Sequence, residues 1–161
     1  MKRAAAIAVL VYLAFLLEFV LYNAFGRWGK PELMVLVVVF CSLYWGIRHS
    51  LWAAFIAGIL GDAFSIEPFG THLLVYITAA YLATFIRRNF YQPGSRFSRG
   101  MVAFFVLVAV FVMETFLHMR LFEVRWGEAV GYVLVPQALA TMVAATFVFH
   151  RLRDMAVRFK L

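Results

Sequence analysis

Six apolar runs, each parted from the next by only a few polar or turn-forming residues, take up almost the whole chain. They cover about 4–25, 32–47, 50–65, 71–86, 100–119 and 129–150. A helix rises 1.5 Å per residue, so about 20 apolar residues cross a bilayer core. The hydrophobic content of 65% exceeds the roughly 45–50% of soluble domains. A domain of 161 residues has too high a surface-to-volume ratio to bury that excess. The expected fold is a single all-α membrane domain over residues 1–161, with six transmembrane helices.

The breaks carry the orientation. With six spans and a cytoplasmic N-terminus, eleven of the fifteen Lys and Arg fall inside, among them Arg48, Arg87, Arg88, Arg96 and Arg99. Only Arg27, Lys30, Arg120 and Arg125 fall outside. This follows the cytoplasmic bias of basic residues, so both termini are expected in the cytoplasm. Runs two and three are short, and a re-entrant pair or a five-span count is the alternative. An odd count, however, would divide the basic tail from the arginine loop. The net charge of +7 has the same origin, and no nucleic-acid partner is expected. Lys2 and Arg3 before an apolar run resemble a signal peptide. The run is too long for one, and an uncleaved first helix is expected.

Chemistry is sparse. The single cysteine, Cys41, sits in an apolar run, so no disulfide or cysteine zinc site forms within one chain. Glu114 and His118 supply two metal ligands at helical spacing, one short of a catalytic set. No nucleophile stands beside a base in a readable motif, and no glycine-rich phosphate loop is present. No enzymatic activity, cofactor or metal is expected. Ionisable residues in hydrocarbon cost roughly 2.5–3.5 kcal/mol each, so each needs a reason to be there. On this topology Glu18, Asp62, His72, Glu114 and His118 all fall in the outer half. They line an outward polar cavity for a ligand, proton or partner, or they serve as interhelical hydrogen-bonding groups.

Run three is the most informative. Ala53, Ala57 and Gly61 form one ladder of small residues, and Ala54, Gly58 and Asp62 the adjoining one. Such ladders let helix backbones touch, which drives association in lipid. They serve packing within the subunit or a subunit interface. Pro31 suits the first turn of helix two. Asp62, at the end of its ladder, is placed to cap or bond the neighbouring backbone, and Pro68 and Gly70 suit a tight turn into helix four, where Thr71 is also placed to cap. Ala4 and Ala8 make a weaker small-residue pair. In run six, Pro136 removes one backbone hydrogen bond and predicts a kink. The basic tail after it reads as a helix lying on anionic lipid, or as a docking site.

Lys30-Pro-Glu-Leu33, Gly58-Ile-Leu-Gly-Asp62 and Pro68-Phe-Gly70-Thr-His72-Leu resemble the MreD family of bacterial rod shape-determining membrane proteins. The motif region spans about residues 30–81, and Glu32 stands where the family commonly has Asp. The resemblance implies a non-enzymatic scaffold in the inner membrane that binds MreC. It implies further partners in the elongation complex, namely MreB, RodA and its transpeptidase, and a possible homo-oligomer. It also implies a fold similar to the S components of energy-coupling-factor transporters, so an S-component-like subunit binding a small molecule is the alternative. Pro31, Ala54, Gly58, Gly61, Asp62, Pro68 and Gly70 carry over as the signature turn and packing positions, none of them catalytic.

Overall fold

A computed structural model describes residues 2–25, 31–65, 68–90, 96–122, 140–141 and 143–145. Five helices stand in it: α1 (Lys2–Phe25), α2 (Leu33–Trp45), α3 (Ile47–Phe64), α4 (Thr71–Phe90) and α5 (Arg96–Phe122). No strand occurs among the described residues. The run at 129–150 is described only in its helical fragments at 140–141 and 143–145, and Pro136 and the basic tail lie outside the described residues.

The helices match the apolar runs because an apolar environment leaves the backbone no partner but itself. Even Gly58 and Gly61, poor helix formers in water, sit in an unbroken α3. Several boundaries differ from the sequence reading: α4 runs on to Phe90, and α5 spans Arg96–Phe122, past the expected 71–86 and 100–119. The joint between the second and third helices falls at Gly46, and Arg48, His49 and Ser50 are already helical. Gly46 adopts φ +84°, a conformation that costs glycine little. Its N–H reaches back to the Cys41 carbonyl at 3.0 Å, and its own carbonyl takes the first α3 bond from Ser50 at 3.1 Å. Pro31, in turn, precedes α2 and does not open it. Glu32 has φ −81° and ψ 76°, and Leu33 N–H meets the Pro31 carbonyl at 3.0 Å. That is an inverse γ-turn, which delays the helix to Leu33.

Helix α2 is the centre. It touches α1, α3, α4 and α5, and every residue from Pro31 to Leu43 is buried. Around it the others run in the order α1, α3, α4, α5, each touching the next, while α1 and α5 do not meet among the described residues. Thirteen residues make α2 only about 20 Å long, against about 36 Å for α1.

Burial on α1 is confined to a narrow stripe of Ile7, Val11, Ala14 and Glu18, spaced at one helical turn. The opposite side presents Leu13, Leu17, Phe19 and Val20 outward. Ala4–Ala24 is long and apolar enough to cross a membrane, yet only 22% of its most apolar stretch is buried. A helix at the core of a water-soluble protein would be mostly enclosed. Two shorter apolar helices, Leu33–Trp45 and Met101–Leu117, complete the apolar set.

Candidate functional site

The polar groups collect at the two ends of the bundle. At one end α3 turns into α4, and Asp62 governs the turn. A helix begins with N–H groups that have no partner within it, and those of α4 can be followed one by one. The Asp62 carboxylate accepts Gly70 N–H at 2.9 Å, His72 N–H at 2.8 Å and Leu73 N–H at 3.3 Å. Thr71 N–H goes to the Pro68 carbonyl at 3.3 Å, and Leu74 N–H begins the helical ladder on Gly70 at 2.9 Å. The cap is therefore an acid from the preceding helix. Thr71, placed to cap by sequence, turns its hydroxyl to the Pro68 carbonyl at 2.8 Å.

The side chain of Asp62 has no exposed surface, and an anion there also faces the positive end of the α4 dipole. His72 adds a fourth donor, with its ring Nδ1 at 3.1 Å from Asp62 Oδ1. Asp62 reaches these groups because glycine lets the backbones close. A Cβ on Gly58 would lie 2.5 Å from Leu73 Cα, and one on Gly61 3.1 Å from His72 Cβ. Ala53, Ala54, Ala57, Gly58, Gly61 and Asp62 are all buried. The small-residue ladders thus serve packing within this chain.

Gly70 is a different case. Nothing lies within 4 Å of a Cβ placed on it, but its φ is +104°. Gly70→Ala is expected to cost about 1–2 kcal/mol from backbone conformation alone. A thermal melt of detergent-purified protein checks this, and an unshifted midpoint would contradict the assignment.

The start of α2 repeats the arrangement with another acid. Glu18 is buried on the inner stripe of α1, and its Oε2 accepts Met34 N–H at a long 3.4 Å. Glu32 N–H donates to Thr141 Oγ1 at 3.1 Å, which ties the fragment at 140–141 to this point. One turn along α4 from His72, Tyr76 is fully buried, with the His72 ring edge-on at 6.0 Å.

The other end holds arginine. Arg87 Nη1 donates to the Ser42 carbonyl at 2.7 Å, and so satisfies a C-terminal carbonyl of α2. Ser42 and Thr84 share a hydroxyl hydrogen bond of 2.9 Å, and Ser50 Oγ donates to the Val38 carbonyl at 3.0 Å. His49 Nδ1 lies 3.0 Å from the Trp45 carbonyl. Helix α4 is thereby fastened at its start to α3 and near its end to α2.

Of the residues singled out from sequence, Gly58, Gly61, Asp62, Gly70 and His72 form one constellation, with Ala54 behind it and Pro68 leading in. Glu18 stands apart from it, at the start of α2. Pro31 lies buried at the start of α2, beside Glu18's target. His118 lies in α5, and its side chain is outside those described. Sequence reasoning missed Tyr76, Thr141 and the inward role of Arg87. Tyr76 was findable, since it stands one turn after His72. Among the described residues no three His, Cys, Asp or Glu group to hold a metal ion.

The family model for the rod shape-determining protein MreD matches residues 2–153 of the chain. No curated protein and no solved structure matches it.

Proposed function

Since the chain belongs to the MreD family of rod shape-determining proteins, we propose that it is a non-enzymatic scaffold of six membrane spans that binds MreC within the cell-elongation machinery. The family match over residues 2–153 carries this reading. The engaged state of the polar groups supports it. Asp62 is bonded to three backbone N–H groups and a histidine, and Glu18 accepts from the start of α2. Groups already holding helices together are better suited to a fixed frame than to binding and releasing a small molecule.

The six-span count gains support from the ring around α2. Among the described residues that ring is open between α1 and α5, which leaves room for a sixth span carrying Thr141, the residue bonded to Glu32. Both termini then lie in the cytoplasm of a multi-pass inner-membrane protein. MreB, RodA and its transpeptidase are the further partners that this role calls for.

Co-expression with tagged MreC and purification in detergent tests the proposal. The expected result is a stable complex that survives size exclusion. A chain that purifies alone, and is instead stabilised by a vitamin or metal ion through mass action, would point to the S-component reading.

A further inference from the structure

The two neighbouring arginines near the end of α4 behave differently. Arg87 turns inward to Ser42, and its Nη1 lies 3.8 Å from where a Cβ on Gly46 would stand. Arg88 is exposed. Because Arg87 rests on the α2–α3 elbow, the start of α3 and the end of α4 share one end of the bundle. Arg48, two residues beyond Gly46, is likewise exposed.

Each exposed arginine heads an outward aromatic ladder. On α3, Trp52 is 65% exposed and Phe55 45%, one and two turns inward from Arg48. On α4, Phe85 is 62% exposed and Tyr81 55%, one and two turns inward from Arg88. Guanidinium at the rim with aromatic rings just below it matches the layering of a lipid leaflet, phosphate above and acyl chain beneath.

Setting orientation in the membrane accounts for positive charge at this end. It does not require that one of two adjacent arginines be held inside while the other, like Arg48, stays free above aromatic surface. We propose that Arg48 and Arg88, flanking the α2–α3 elbow, bind the headgroup phosphate of an anionic phospholipid, with Trp52 and Phe85 against its upper acyl chain. Charge complementarity names the occupant, because a zwitterionic lipid offers no net attraction to two cations. The site rests on the membrane-spanning reading, and a chain soluble without detergent would fail that reading before this one.

The test is titration of dioleoylphosphatidylglycerol into the detergent-purified full chain, followed by thermal stabilisation and native mass spectrometry. Dioleoylphosphatidylcholine and inorganic phosphate serve as comparison ligands. A basic side chain near an anionic lipid surface contributes about 1 kcal/mol, so each arginine is expected to change affinity by about fivefold and both by about 25-fold. Arg48→Gln/Arg88→Gln should therefore lose phosphatidylglycerol stabilisation. Arg48→Lys/Arg88→Lys should keep most of it, which separates binding from folding.

Arg120→Gln is the control. Arg120 is exposed in the last turn of α5, over the Phe116 ring at 5.5 Å, and its loss should leave lipid affinity unchanged. Equal binding of the two lipids would overturn the proposal. So would full affinity in the double glutamine variant, equal loss in Arg120→Gln, or displacement of the lipid by free phosphate.

Discussion

Gly58→Leu is expected to abolish the folded chain, leaving no monodisperse species in detergent size exclusion. A Cβ at this position would stand 2.5 Å from Leu73 Cα, 2.8 Å from its Cδ1 and 3.0 Å from its Cβ. The nearest atom belongs to the backbone, so no rotamer change relieves the clash and α3 must part from α4. Overpacking by a single methyl costs about 1–3 kcal/mol, and Gly58→Ala should fold with a clearly lowered melting midpoint. Leucine adds three more carbons to a site that lacks room for one. Parting the helices also draws Asp62 away from the start of α4, so two losses fall together, against a total stability of about 5–15 kcal/mol for a typical domain. Gly61→Ala offers a graded comparison. Its nearest contacts, at 3.1–3.3 Å, are all side-chain atoms of His72, which can yield a little. The order expected is Gly61→Ala mildest, then Gly58→Ala, then Gly58→Leu. A monodisperse Gly58→Leu variant with an unchanged melt would refute the close approach.

Asp62→Ala is the second large effect, at about 3–5 kcal/mol. A buried donor left without its acceptor costs about 1–3 kcal/mol, and three backbone N–H groups lose theirs here, offset in part by water entering at the turn. Asp62→Asn keeps one oxygen to accept from the helix start but gives up the charge that faces the dipole, worth about 0.3–1 kcal/mol and up to ~2 when partly buried. Asparagine should thus fall between wild type and alanine. Hydrogen exchange at residues 70–74 gives the local readout, and protection should drop there first. If asparagine and alanine destabilise equally, the carboxylate's charge and not its hydrogen-bonding geometry is what holds α4.

Much of this was legible in the sequence, for identifiable reasons. The extent of α1 follows from an apolar run that lacks helix breakers, and the tight α3–α4 pairing from small residues four apart, whereas α4 and α5 carry on through the polar ends Arg87–Phe90 and Arg96–Gly100 that read as loop. The elbow at Gly46 was less legible, because Arg48, His49 and Ser50 look like a polar break. In the fold those residues occupy the first turn of α3, where polar groups are cheap to keep, and only the positive φ of Gly46 marks the joint. The cap of α4 was legible only as two candidates, Asp62 at the end of its small-residue ladder and Thr71 at the helix start. Local capping rules favour Thr71, whereas Asp62 lies eight residues from Gly70 and reaches it only through a backbone contact that glycine permits. Tyr76 left one sign, its place a turn after His72, against which its ring packs edge-on at 6.0 Å.

The enclosure of α2 has a consequence for how the bundle meets membranes of unequal thickness. A helix that touches lipid is subject to hydrophobic mismatch and answers a thicker or thinner bilayer by tilting. Helix α2 is enclosed by protein from Leu33 to Leu43, so its neighbours, more than the width of the hydrocarbon layer, constrain its length. In the proposed six-span arrangement, α1 with its broad outward apolar face takes up the strain of mismatch. The height of the α2 start, and with it the Glu18 contact to Met34, then stays fixed relative to the rest of the bundle whichever membrane surrounds it.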